Sequence, residues 1–199
     1  MKNAYRANVK SAVLQRGVAA VEFALVAIPF FLLLFGAMEF GRLFYLWNTV
    51  QEVTRYAARQ AVVTDFTQAD EIATIKRAAV FRVTDGTLPA STEVTNANVV
   101  IQYLNANREV IKKADLPVSP GDNVAACLDA SRAASCIQFV EVCVSTGSTC
   151  SADQLVAFQP MIGLFSKSGP EEGTDLSGIR IPLSTVRMPA ESLGFRPDS

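Results

Sequence analysis

Between residues 18 and 38 the only charged side chain is Glu22, and the apolar run continues to Phe40. At 1.5 Å per residue a helix over 18–40 is about 34 Å long, enough to cross a hydrocarbon core of about 30 Å. Past Phe40 the pattern becomes one-sided. Phe40, Leu43, Phe44, Trp47, Val50, Thr54, Ala57 and Ala61 recur at helical spacing, with Asn48, Glu52, Arg55 and Arg59 on the opposite face. Glu52 and Arg55 are placed to pair across one turn. No Gly or Pro falls between Gly41 and Asp65. The spacing predicts one helix over 18–63, roughly 65–70 Å long, its first half in a membrane and its second half backed onto a domain. Pro29 is expected to bend it locally, which membrane helices tolerate. Tyr45 and Trp47 fall where an interfacial aromatic belt is expected.

The pattern after residue 63 is mixed. Thr67 is read as the cap of a second helix with Asp70 and Glu71 in its first turn, an apolar stripe of Ile72, Ile75 and Ala79, and an end near Val83. Asp85-Gly86 and Pro89 mark a turn. Val99, Ile101 and Tyr103 alternate with Val100, Gln102 and Leu104 as a strand, and residues 109–113 read as a short strand or a helical turn. Pro117, Pro120, Gly121 and Asp122 are read as a loop. Residues 137–144 form the clearest strand, with Val140, Val142 and Val144 on one face. Ser151 with Gln154 suggests a short helix reaching Phe158. Residues 166–178 are polar and glycine-rich, read as a surface loop. Residues 178–187 read as a last strand at a sheet edge, because Pro182 interrupts its alternation of Ile179, Ile181 and Leu183. The expected fold class is therefore α+β: a long N-terminal helix, half transmembrane, packed on a small antiparallel sheet. The expected divisions are 1–17, 18–40, 41–63 and 64–199.

Charge gives the apolar run a direction. Lys2, Arg6, Lys10 and Arg16 precede it with no acid among them. By the positive-inside rule the N-terminus is cytoplasmic and the remainder extracytoplasmic. The whole chain has 18 basic and 19 acidic residues, a balance that gives no reason to expect nucleic acid as a partner. Loss of residues 1–17 would leave 14 basic residues against 19 acidic ones, a net charge of −5. The four cysteines, Cys127, Cys136, Cys143 and Cys150, form no C-x-x-C pair and read as structural disulfides in an oxidising compartment. They allow three pairings; Cys127–Cys136 and Cys143–Cys150 are favoured because each closes a short, turn-rich segment.

Glu22 is the costly residue. A carboxylate inside an apolar span costs on the order of 2.5–3.5 kcal/mol at the centre and less near an interface. No basic side chain lies within the span. A cut between Gly17 and Val18 would create an α-ammonium on Val18 and make Glu22 the fifth residue of the mature chain. Its carboxylate would then pair with that amine, in its own chain or a neighbour's, and set the axial register of packed helices. The alternative is that Glu22 snorkels to the headgroups beside Arg16 with no assembly role. Ala20 and Ala24 form a small-xxx-small pair that permits close helix approach.

The basic leader, Gly17, the hydrophobic run, and Glu22 followed by Phe23 resemble the processing site of type IV prepilins, in the variant of the tight-adherence (Tad/Flp) system. Arg16-Gly17-Val18-Ala19-Ala20-Val21-Glu22-Phe23-Ala24-Leu25-Val26, then Phe35-Gly36 and Glu39-Phe40-Gly41-Arg42, resemble the start of TadE-like proteins. Residues 157–163 and 185–191 resemble the C-terminal regions of that family more loosely. The resemblance implies a pilin-like fold and a minor pilin or pseudopilin acting in pilus assembly, priming or adherence. It implies a prepilin peptidase that cuts after Gly17 and reads Phe23, and a register role for Glu22. It implies other pilins as partners, membrane lipid around the span, and an inner-membrane platform driven by a separate ATPase. The alternative is an uncleaved single-pass anchor carrying an extracytoplasmic binding module.

Candidate chemistry is sparse. The chain has no histidine, which excludes imidazole-based acid–base catalysis and histidine-containing zinc sites. Ser166-Lys167-Ser168 lacks the glycine of a phosphate loop. Glu171, Glu172 and Asp175 read as a solvated loop before a calcium site. No enzymatic activity, metal or cofactor is expected.

Overall fold

The structure is a computed structural model that describes residues 2–162 and 178–195, with the backbone alone for residues 2–17. Most of the 166–178 loop, with Lys167, Glu171, Glu172 and Asp175, lies outside the described residues, as do the leader's side chains. The chain divides into two units, residues 1–42 and 43–199.

Helix α1 spans Lys2–Ala61, with Pro29 inside it. It begins earlier than the apolar pattern indicated, because the leader's backbone is helical too, and it ends two residues before the expected 63. In the first unit the apolar side chains of residues 18–40 are exposed almost all round, including Val18, Phe23, Leu33 and Phe40. Phe31 stacks on Phe35 with ring centroids 5.8 Å apart.

The second unit is built on the last part of α1. Leu43, Leu46, Val50, Val53, Ala57, Ala58 and Ala61 are buried and share one core with the sheet. Leu43, Val50, Thr54, Ala57 and Ala61 are buried as expected, and the remainder of the stripe differs. Leu46, Val53 and Ala58 face inward, while Phe40 and Phe44 remain exposed. The inward positions are mostly small or branched, so the helix can lie close over a pleated surface, and the bulky aromatics are left outside. Asn48, Glu52, Arg55 and Arg59 are exposed as expected, and Glu52 pairs with Arg55 at 2.8 Å.

The sheet has three antiparallel strands in the order β1 (Val99–Leu104), β2 (Phe139–Val144), β3 (Val186–Pro189). Val99 opposes Val144, Ile101 opposes Val142 and Tyr103 opposes Val140. These residues, with Val186 and Met188, form the face that meets α1. The other face carries a polar row in which Gln102, Glu141 and Arg187 lie side by side across the strands, and Arg187 bonds Glu141 at 2.6 Å. Both faces of β1 and β2 are covered, so their alternation does not appear as alternating exposure.

Four local expectations are corrected. Helix α2 spans Ala69–Ala79 and is capped at Gln68, because Asp65 Oδ1 accepts both the Thr67 amide and the Thr67 hydroxyl. Its stripe is as expected, with Ile75 and Ala79 buried and Ile72 half-buried. Pro120, Gly121 and Asp122, expected in a loop, open helix α3 (Pro120–Leu128). The Ser119 hydroxyl accepts the Asp122 amide at 3.1 Å, and Pro120 occupies a first-turn position that needs no N–H donor. Among the described residues no helix follows Ser151. The segment 156–158 pairs instead with 179–181, where the Phe158 amide bonds the Ile179 carbonyl at 2.9 Å and the Ile181 amide bonds the Val156 carbonyl at 2.8 Å. Phe158 and Val156 enter the core from that ladder. The last strand covers only 186–189, because Pro182 supplies no donor and Ser184 turns the chain at φ 46°.

The C-terminal segment ties down the end of α1. The Glu191 and Leu193 amides both donate to the Val62 carbonyl, at 3.2 and 3.1 Å, and Leu193 is buried. Gly194 follows at φ 80°, where a Cβ would lie 2.7 Å from the Asp65 amide nitrogen, so glycine is required twice over.

Candidate processing and assembly segment

The candidate residues lie on one unbroken stretch of α1. Gly17 and Val18 are both within the helical backbone. In a helix the Gly17 carbonyl is held by the amide four residues on, at Val21, and the Val18 amide by the carbonyl of Leu14. Val18 and Glu22 stand four residues apart, about 6 Å along the axis and on one face. The Cα–Cβ bond of a helical residue leans toward the N-terminus, so Glu22 projects toward the Val18 end. Val18, Glu22 and Phe23 are exposed, Phe23 at 74%. Among the described residues no hydrogen bond or ion pair is recorded for the Glu22 carboxylate. Ala20 and Ala24 are exposed one turn apart and leave the helix surface open to close approach.

The other carboxylate of this region contrasts with Glu22. Glu39, at the outer end of the apolar run, is 2% exposed and pairs with Arg42 at 3.4 Å. The two residues are one turn apart, the i, i+3 spacing that lets such a pair form within a single helix. This pair was not singled out from the sequence, although its spacing was visible there.

The helix from Val18 onward is long and apolar enough to cross a membrane, and none of its most apolar stretch is buried within the protein. That separates it from the core helix of a soluble fold, whose apolar residues would be covered. A single N-terminal apolar helix of this kind indicates single-pass membrane anchoring.

The four cysteines form two bridges, Cys127–Cys136 and Cys143–Cys150. The first staples α3 to the start of β2. Beside it the Asn123 side chain accepts the Ile137 amide at 2.8 Å and donates to the Ile137 carbonyl. The second folds residues 145–150 back beside the polar face of the sheet, where the Cys150 amide donates to Gln102 Oε1. Closing loops of this length stabilises the fold by about 2.5 kcal/mol each in the chain-entropy account. Asp122 accepts the Val118 amide at 3.1 Å and the Arg132 guanidinium at 2.9 Å. The bond from Val118 and then that from Arg132 hold its pKa below the ordinary carboxylate value. Among the described residues no group of three or more potential ligands is arranged to hold a metal ion.

Residues 17–59, which lie wholly within α1, match the model of the family described as TadE-like protein. No curated protein and no solved structure matches the chain.

Proposed function

We propose that this chain, TadE-like over residues 17–59, is a minor pilin or pseudopilin of a Tad-type pilus, cut after Gly17 by a prepilin peptidase. It inserts with residues 1–17 in the cytoplasm and the domain beyond residue 42 outside. After the cut, the helix beginning at Val18 packs against other pilins, carried by an assembly platform with its own ATPase. The domain serves assembly, priming or adherence and performs no catalysis.

The observation that carries this reading is the contrast between two carboxylates of one helix. Glu39 has Arg42 beside it at 3.4 Å, whereas Glu22 is exposed on an apolar surface that no described part of the chain covers. Cleavage supplies a partner for Glu22. It creates an ammonium on Val18, on the same face and one turn away, and adds the free amides of a new helix N-terminus. A neighbouring helix in parallel packing presents the same pair, so amine and carboxylate become complementary within and between chains. A charge pair in an apolar setting fixes the axial position of helices that are otherwise held by non-directional packing.

Glu22→Ala separates processing from packing. The variant is expected to be cut at a near-normal rate in membranes containing an active prepilin peptidase, and to be depleted from sheared pilus material or its priming complex. Normal incorporation of the variant would overturn the register role.

A further inference from the structure

We infer that the domain beyond residue 42 binds a second copy of this chain head to tail. An apolar, cationic knob after α2 of one copy seats in an acidic groove at the start of α2 in the next.

The knob is Phe81-Arg82-Val83. Helix α2 ends in a tight turn in which the Arg82 amide bonds the Arg77 carbonyl and the Phe81 amide bonds the Ala78 carbonyl, both at 2.9 Å. Such a turn needs a residue at positive φ, the usual place of glycine, and here it is Phe81 at φ 60°. Glycine would make the turn without strain, so the fold itself does not call for a ring there. Nor does the core use it: Phe81 is 60% exposed and Val83 93%. The tip is tied to the fold, with Arg82 Nε donating to the Thr87 carbonyl at 2.8 Å and Asn96 bridging Asp85 and the Gly86 amide. Arg77 has Asp85 at 3.7 Å, whereas no acidic partner is recorded for Arg82 among the described residues.

The groove lies at the other end of α2. Thr64, Asp70, Glu71, Thr74 and Ile75 line a surface cavity of about 330 Å³ whose lining is largely apolar. The Thr64 and Thr74 hydroxyls donate to the Gln60 and Asp70 carbonyls, each at 2.8 Å, so neither offers its proton to a ligand. Its charged groups are two exposed carboxylates, for which no ion pair is recorded among the described residues. Acids in a first turn complement the helix dipole, which accounts for their charge but not for the cavity beside them.

The occupant of that groove must bring apolar surface and positive charge together, and the tip of the same chain has both. With the Phe81 ring seated in the groove, Arg82 meets Asp70 and Glu71. Knob and groove lie at opposite ends of one 11-residue helix, about 16 Å long, so they cannot meet within one copy. Two different patches that fit one another make a heterologous contact, which builds an open array when its rotation does not close. A fibre subunit needs a contact of that kind.

The full chain in lipid vesicles tests this with both native bridges closed, so that one introduced thiol is the only reactive one. Copies carrying Gln68→Cys, beside the groove, are mixed with differently tagged copies carrying Thr84→Cys, beside the knob, and treated with a short bismaleimide. Both positions are exposed. Mixed pairs are expected to exceed like pairs well beyond the statistical proportion. Arg82→Glu in the Thr84→Cys copies, or Glu71→Lys in the Gln68→Cys copies, should lower the mixed product about fivefold, as for one partly exposed ion pair, and the two together should restore it. A statistical mixture, a predominance of like pairs, a product indifferent to either reversal, or no recovery when both are combined would overturn the contact. None of these readouts depends on the cut after Gly17, so the processing reading stands or falls separately.

Discussion

Arg42 reaches back one turn to Glu39 at 3.4 Å; Glu39 is buried, at 2% exposure, and Arg42 is partly buried beside it. The pair sits where the apolar run gives way to the domain-forming half of α1. Each charge offsets part of the other's desolvation.

That relationship makes a prediction by double substitution. Arg42→Ala removes the guanidinium beside the buried Glu39 carboxylate and should lower stability. Glu39→Gln combined with Arg42→Ala should cost less, since the side chain that loses Arg42 is then neutral. Chemical unfolding of the purified protein in detergent or bilayer discs measures both. Equal losses in the single and double variants would show that the pair is not coupled.

The start of α3 should respond to acid. The Asp122 carboxylate caps that helix from within, accepting from Val118 and Arg132, and its pKa is lowered in the folded chain. A depressed carboxylate pKa contributes stability that is complete above the unfolded value, about 3.9, and is lost as pH falls through the folded value. Protection of the amides in residues 118–124, relative to their intrinsic exchange rates, should therefore fall below about pH 4. Asp122→Asn should lower that protection already at neutral pH and flatten the acid response. An unchanged pH profile in that variant would remove Asp122 from the account.

The two disulfides should differ in how readily they open. Cys127 is exposed and its partner Cys136 buried, whereas Cys143 is buried and its partner Cys150 half-buried, so the most open of the four positions belongs to the first bridge. A thiolate must reach a sulfur to exchange with it, so access ranks the bridges. Mild dithiothreitol treatment followed by alkylation and peptide mapping should label Cys127 and Cys136 before Cys143 and Cys150. Replacing Cys143 and Cys150 by serine should lower stability by about 2.5 kcal/mol. Labelling in the opposite order would contradict the burial seen here.

The long helix and two of the three strands were legible because each follows a single period over many residues. The apolar run, the alternation in 99–104 and the β-branched stretch ending at Val144 are of this kind. Of the expected inward face of α1, Leu43, Val50, Thr54, Ala57 and Ala61 are buried, whereas Phe44 is exposed and Leu46 lies inward, since Phe44 outranks Leu46 on hydrophobicity but not on fit against a close sheet. Helix α3 was hidden by Pro120 and Gly121, which read as breakers, although Ser119 before a first-turn proline is a start signal. The ladder of 156–158 with 179–181 was illegible because its partners are distant in sequence and one of its strands is only a bridge long. For the candidate site, the sequence showed where Gly17, Val18, Glu22 and Phe23 lie. That Glu39 is internally paired while Glu22 has no described partner required coordinates.

The central claim is the cut itself. Membranes from cells with an active prepilin peptidase should be extracted and the N-terminus of this protein identified by intact mass and terminal sequencing. The account predicts a chain beginning at Val18, with the basic leader gone and Glu22 fifth from the new amine. A chain that retains residues 1–17 in those membranes would contradict it and leave a single-pass anchored domain in its place.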